Sequence, residues 1–323
     1  MSIRIVFFGS PAYAVPSLRA CLGIRDAEVI AVVTQPDRPR GRSKAPQMTE
    51  VKEAAIEAGI ATFFQPEKIR RDTTEAIQAL SPDIGVVAAS GHILPNHLLD
   101  SFPHQVLNVH ASLLPRHRGA SPVASAILAG DVETGATIMR VVREVDAGPI
   151  LASVTTRIEP LDTTGVLTER IADLGAGLLA SVLPRWVAGE IDEQLQDASQ
   201  VTFAPKLARA DGVVDWTLPA QEIWRRVRAF HPWPLATTTY RGEPFLIHQA
   251  WPVALTSDAA PGTVLPGDGV EVTPLLPGRP ARAVVVCGED ALVLLDVQRP
   301  GKRPTPIEAY LNGDRELIGS RLG

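Results

Sequence analysis

The 323-residue chain is short of cysteine, of net positive charge and of long apolar runs. Its two cysteines, Cys21 and Cys287, lie far apart in apolar contexts. Neither has the spacing of a metal site, and a reduced, cytoplasmic protein is expected. Lys and Arg number 31 against 36 Asp and Glu, a formal charge of −5, which excludes a globally basic nucleic-acid binder. Any polyanionic partner has to meet a local basic patch. No run is long enough to span a bilayer, and MSIRIVFFGS begins directly as a strand without the apolar core of a secretory leader, so no membrane association is expected. Several catalytic signatures are missing too. Gly9-Ser10-Pro11 follows the first strand but fits neither Gly-x-Gly-x-x-Gly nor Gly-Lys-Ser, which weakens dinucleotide binding and phosphoryl transfer. No Gly-x-Ser-x-Gly elbow occurs, and no His or Cys cluster has metal-ligand spacing, so no metal is expected.

What is present is an ordinary globular balance, 45% hydrophobic and 21% charged, over a length that suits two domains. In the first half, apolar stretches at 3–8, 29–34, 84–89, 106–110 and 136–142 read as strands, separated by helical stretches that include 51–58 and 161–187. Strands apolar on both faces and alternating with helices predict a Rossmann-like, mostly parallel sheet covered on both sides. Residues 190–199 are polar without apolar period and read as a linker. An amphipathic helix at 220–229 and short strands at 245–250, 262–265, 270–273, 283–286 and 292–297 then predict a small OB-like β-barrel. The expected domains are a catalytic domain at 1–189, a linker at 190–206 and a C-terminal domain at 207–323.

The stretch LNVHASLLPRHRGASP offers chemistry. Strand alternation puts Asn108 and His110 on one face, at the carboxyl end of a strand, where ligands of open parallel sheets bind. Asp146, in REVDAGPIL, follows the next strand. Singly, each residue has a plain structural role: a strand-end His is often simply hydrogen-bonded, and an Asp before Ala-Gly often holds a turn. Together, an amide donor, a titratable ring and a carboxylate suit acyl transfer without a covalent intermediate. The amide and imidazolium can donate to an oxyanion, and the carboxylate can fix the imidazole tautomer or take a proton from an attacking amine, directly or through water.

Two basic groups stand out. TQPDRPRGRSK places Arg38, Arg40, Arg42 and Lys44 on a loop stiffened by Pro36 and Pro39, suited to contacting a phosphate backbone. Arg225, Arg226 and Arg228 lie on the helix before FHPWP, where a solvated helix face is an equally good reading.

In order along the chain, FFGSPAYAVPSL, VVTQPDRPRGR, LNVHASLLPRHRGASP, ETGATIMRVVREVDAGPIL, VRAFHPWPLA and GKRPTPIEAYLNG resemble the methionyl-tRNA formyltransferase family of folate-dependent formyltransferases. The Asn-x-His, Ser-Leu-Leu-Pro and Asp-x-Gly elements are common to the whole superfamily. The QPDRPRGR loop and RAFHPWP are more specific to the tRNA enzymes. The resemblance implies formyl transfer from 10-formyltetrahydrofolate to the α-amine of methionine on initiator Met-tRNA, by a cytoplasmic monomer. Asn108, His110 and Asp146 match its catalytic positions. Ser112, Leu113, Leu114 and Pro115, with Ser90, Gly91 and Ile93, match its folate-binding segments. Arg38, Arg40, Arg42, Lys44 and Lys206 match its tRNA contacts, and the C-terminal barrel matches its tRNA-holding domain. The chain departs from the pattern at Ser90, usually Tyr, and at His117, usually Trp or Tyr. A formyltransferase acting on an amino-sugar nucleotide, and a non-catalytic folate- or RNA-binding protein, stand as alternatives.

Overall fold

The computed structural model describes residues 2–39, 45–270 and 272–323. They form two compact units: Met1–Pro122, Glu133–Arg157 and Leu167–Pro205 in the first, and Val123–Val132, Ile158–Val166 and Lys206–Gly323 in the second.

The first unit is built on seven strands: β1 (Ile3–Gly9), β2 (Ala27–Val33), β3 (Phe63–Phe64), β4 (Ile84–Ala88), β5 (Val106–His110), β6 (Glu133–Arg140) and β7 (Ile150–Arg157). Their order is β7-β6-β5-β4-β1-β2-β3. Strands β3, β2, β1, β4 and β5 pair in parallel, and the order reverses at β1. Strands β6 and β7 are antiparallel additions. Alternation along β1 sends Ile5 and Phe7 into one core layer and Val6 and Phe8 into the other. The first layer is closed by α1 (Val15–Gly23), through Leu18 and Cys21, and by Leu179, Val182 and Leu183 of α2 (Thr164–Val187). Burial pushes the Cys21 thiol up to about 12, so this cysteine is packing material. The second layer takes Ile77 of the helix Arg71–Gln78 and Leu98 of the helix Asn96–Leu99. Leu107 and Val109 of β5 join the first layer and Val106 the second, so Asn108 and His110 continue the second face.

In the second unit, the helix at Ala220–Ala229 follows its apolar period, burying Ile223, Trp224 and Val227. They join the core of an antiparallel sheet: β8 (Ala236–Tyr240), β9 (Glu243–Val253), β10 (Val264–Pro266), β11 (Ala283–Val286) and β12 (Ala291–Gln298), in the order β8-β9-β12-β11-β10. Register shifts between Ile247 and Ala250 help curl the sheet into a half-barrel. The strand expected at 270–273 is absent at the described residues Val270, Val272 and Thr273.

Two readings need correcting. Arg228 is no part of a solvated basic face: it is 9% exposed, its guanidinium lies 3.8 Å from the Trp224 ring centroid, and it donates to the carbonyls of Glu159 and Asp162. Arg226 pairs with Glu222 one turn away at 3.1 Å. The polar stretch expected as a linker belongs to the first unit as far as Pro205. Gln194 pairs with Ile150 through both backbone bonds, at 2.8 and 2.9 Å, and Phe203–Ala204 pairs in parallel with Arg118–Gly119.

Helix α2 meets the sheet through small residues. A Cβ built on Gly175 would sit 2.8 Å from a Val109 methyl and 3.2 Å from the Ala136 Cβ. Overfilling such a contact costs about 1–3 kcal/mol, more than the roughly 1 kcal/mol that losing a helical glycine returns. Gly175→Val should therefore lower the urea midpoint; an unchanged or raised midpoint would refute this close packing.

Candidate active site

Asn108 and His110 project from β5 two residues apart, and the site grows from that face. His110 is 5% exposed. Its Nε2 lies 3.0 Å from the carbonyl of His117. A carbonyl only accepts, so Nε2 carries the proton and Nδ1 is left for chemistry. Nδ1 lies 3.6 Å from Oδ2 of Asp146, and Oδ1 of Asp146 lies 3.5 Å from Nδ2 of Asn108. The backbone N–H of Gly119 donates to the same Oδ2 at 2.8 Å. Three groups of different chemistry therefore converge on one carboxylate.

The route of Asp146 to this point differs from the expected one. Strand β6 runs antiparallel to β5, with Thr137 opposite His110 and Arg140 opposite Leu107. It therefore ends at the edge of the sheet remote from His110. The loop that follows closes on itself, Arg140 N–H donating to the Pro149 carbonyl at 3.0 Å, and folds back to bring Asp146 to Asn108 and His110. Asp146 adopts a left-handed backbone with φ of 51°, a conformation Asp tolerates better than most residues.

Burial lowers the His110 pKa below its ordinary 6.5, while the Asp146 charge and the His117 carbonyl raise it and the His117 ring lowers it. The direction follows from near-complete removal from water, which disfavours the cation. At neutral pH the ring is uncharged.

The segment Ser112–Pro115 lies on the loop after β5. Thr137 holds it, accepting from Leu114 N–H at 3.2 Å and donating to the Ser112 carbonyl at 2.7 Å. The Ser112 hydroxyl is itself committed to the Arg116 carbonyl at 2.6 Å. Leu113 packs against Gly135, where an added Cβ would lie 2.9 Å from a Leu113 methyl. After β4 comes the other expected folate segment. Ser90 is buried, its Oγ 3.0 Å from Nδ1 of His92, whose Nε2 reaches the Pro66 carbonyl at 2.9 Å. Gly91 has φ of 73° and Ile93 is 92% exposed. The Ser10 hydroxyl donates to the Ser90 carbonyl at 3.0 Å and ties this loop to the end of β1.

Of the basic loop, Arg38 is described and exposed; Arg40, Arg42 and Lys44 lie outside the described residues. Arg38–Pro39 pairs with Pro46–Gln47. Beside this pair, Lys52 donates to Asp37 at 2.7 Å and holds its carboxyl below the usual range, and Gln65 bonds both Lys52 and Asp37 at 2.7 Å. Lys206 is exposed at the start of the second unit's last segment. Among the described residues, no group of three or more His, Cys, Asp or Glu is placed to hold a metal, and no helix is long and apolar enough to cross a membrane.

Sequence reasoning missed the residues that hold the site together. Thr202 accepts from His117 N–H through its hydroxyl at 2.9 Å and from Arg118 N–H through its carbonyl at 2.9 Å. Gln196 donates to the carbonyls of Asp146 and Gly148. Neither sits in a periodic pattern, and Thr137 reads as one more strand threonine.

Comparison with known proteins gives this geometry its family. Residues 3–183 match the formyl transferase family and residues 206–315 its C-terminal domain. The methionyl-tRNA formyltransferase of Roseiflexus sp. (strain RS-1) is 44% identical over all of this chain and 96% of its own length. That of Methylococcus capsulatus is 43% identical over 99% of this chain and all of its own. Among solved structures, the sugar 3N-formyl transferase WlaRD, with dTDP and 5-N-formyl-THF, matches 94% of this chain and 100% of its own at a TM-score of 0.63 and 15% identity. HypX from Aquifex aeolicus, in complex with tetrahydrofolic acid, matches 96% of this chain and 47% of its own at 0.60 and 17%. These two share the fold. The chain belongs to the methionyl-tRNA formyltransferases, enzymes of the formyl transferase family.

Asp146 supplies the principal charge that raises the His110 pKa, so Asp146→Asn should remove the largest influence opposing burial and move the imidazole titration to lower pH. NMR titration of the His110 ring reads this directly. A titration left unchanged, or moved upward, would refute the coupling.

Proposed function

We propose that the protein transfers the formyl group of 10-formyltetrahydrofolate to the α-amine of methionine on initiator Met-tRNA. The observation that carries the reading is the convergence of Asn108 and His110 on the Asp146 carboxylate. An amide, an imidazole and a carboxylate include no strong nucleophile, and the nearby Ser112 hydroxyl is occupied by a carbonyl. Such a set favours direct attack by the acceptor amine over a covalent intermediate.

The amine attacks the formyl carbon, and the carbonyl electrons move to oxygen. The oxyanion accepts hydrogen bonds from the Asn108 amide and from His110 as it becomes an imidazolium. The proton lost by the amine goes to the pair formed by Asp146 and Nδ1 of His110, directly or through a water. Collapse breaks the bond to N10 of the folate, which leaves with that proton. His110 enters neutral, so its Nδ1 lone pair is available; Asp146 at 3.6 Å favours the charge it acquires. The His117 carbonyl keeps Nε2 engaged throughout, which confines the proton exchange to Nδ1.

Two features support tRNA as acceptor. Relatives of the same length and at 41–45% identity are methionyl-tRNA formyltransferases. The basic stretch 38–44 begins at a described pair, Arg38–Pro39 with Pro46–Gln47, beside the contacts of Asp37, Lys52 and Gln65, and a sugar nucleotide is too small to need so many basic residues there. The test is formylation from 10-formyltetrahydrofolate with initiator Met-tRNA, free methionine and an amino-sugar nucleotide compared side by side. Transfer to Met-tRNA alone is expected; preference for the amino sugar would overturn the assignment of the acceptor.

If the loop meets the phosphate backbone, Arg42→Ala should weaken use of Met-tRNA and leave the folate KM unchanged. Removing one phosphate contact should also reduce the slope of log affinity against log salt by about one unit. Unaltered tRNA kinetics and salt slope would make the loop ordinary solvated surface.

A further inference from the structure

The segment from Glu193 to Ala204 crosses the two loops that complete the active site. Its contacts run in sequence. Glu193 pairs with Arg140, at the root of the Asp146 loop. Gln194 exchanges two backbone hydrogen bonds with Ile150. The side-chain amide of Gln196 donates to the carbonyl of Asp146 at 2.8 Å and to that of Gly148 at 2.7 Å. Its oxygen accepts from Arg118, Nε at 3.0 Å and the terminal Nη2 at 2.7 Å. Thr202 and Ala204 then fix the backbone N–H groups of His117, Arg118, Ala120 and Ser121. Gln196 alone in this segment reaches both loops with one side chain.

We propose that Gln196 is a positioning residue that sets the separation between Asp146 and His110. Its two N–H groups are both spent on the loop that carries Asp146, one of them on the carbonyl of Asp146 itself. Its oxygen is spent on Arg118, the neighbour of the residue whose carbonyl orients His110 and of the residue whose N–H holds Asp146. The backbone of Asp146 is left-handed, so relaxation towards commoner angles would carry the carboxylate away. Arg118 fixes which end of the amide faces which loop, because guanidinium can only donate and the two carbonyls can only accept.

The inference rests on reading Asn108, His110 and Asp146 as the reacting centre, and its test needs a readout independent of substrate. Gln196→Leu removes all four bonds. Gln196→Glu keeps an oxygen for Arg118 but offers the Asp146 and Gly148 carbonyls no donor; it also serves should the Leu variant fail to fold. Both variants should lose kcat, by up to about 10²-fold for a displacement near 1 Å, with KM for folate and for tRNA little changed. In both, the His110 titration read by NMR should move to lower pH, because Asp146 and the His117 ring are the titratable groups that act on that imidazole and the positive influence is the one withdrawn. In an Asp146→Asn background the same substitutions should add no further shift. Wild-type kcat and His110 titration in the folded Glu variant would overturn the proposal. So would a shift that persists undiminished in the Asp146→Asn background. Wild-type protein that formylates none of the three acceptors would sink the functional reading alone, since the titrations report the geometry without substrate.

Discussion

The carboxylate of Asp146 faces partners from separate places: the Asn108 amide and the His110 ring on one strand, and the Gly119 backbone N–H on the loop beyond it. A strand fixes the face to which each of its side chains points, but neither Asp146 nor Gly119 lies in the parallel part of the sheet. Their positions therefore depend on loops, and the loops depend on what crosses them. Residues 193–204 do so with hydrogen bonds and the Glu193–Arg140 ion pair, in a stretch that contributes few apolar side chains to either core. The packed core places Asn108 and His110; a polar strap places everything they act with.

That division explains what could be read from sequence. Period-two alternation put Asn108 beside His110, and apolar periodicity gave the helix at Ala220–Ala229 and the strand at Ala283–Val286 with their observed limits. Asp146 was legible as a member of the site, but by a route the molecule does not take. Strand direction is set by pairing partners remote in sequence, and nothing in ETGATIMR distinguishes an antiparallel β6 from a parallel one. Strand β7 escaped notice because it carries Ser153, Thr155 and Thr156 on an edge, and β8 because ATTTY is mostly threonine. Gln196 and Thr202 were invisible in principle: a residue recruited to cap two loops follows no period, and its partners lie about 50 and 85 positions away.

The arginines show the same limit from the side of charge. Arg228 and Arg38 look alike in a sequence count, yet one is folded under Trp224 with its Nη1 on two backbone carbonyls and the other is exposed beside the Arg38–Gln47 pairing. Burial makes the first a structural cation and lowers its pKa to about 10, against the pull of Asp162. Only the second keeps its charge available to a polyanion. A formal charge of −5 therefore coexists with a basic stretch of sequence at 38–44 without contradiction.

The balance at His110 gives the strap its physical significance. Burial pushes the imidazole towards neutrality and Asp146 pushes it back, so the ring can accept a proton without holding one at rest. Burial is a property of the whole pocket and changes little with small movements. The pull of Asp146 is a Coulomb interaction at short range and changes steeply. Near 3.6 Å, moving the carboxylate away by about 1 Å weakens that pull by about 1 kcal/mol at an effective dielectric of about 20, a sizeable fraction of a pKa unit. The same displacement would also break a backbone hydrogen bond of 2.8 Å from Gly119. In the proposed mechanism, proton transfer at Nδ1 is thus tuned through a distance that no secondary-structure element fixes, and several hydrogen bonds converge on the loop that carries Asp146.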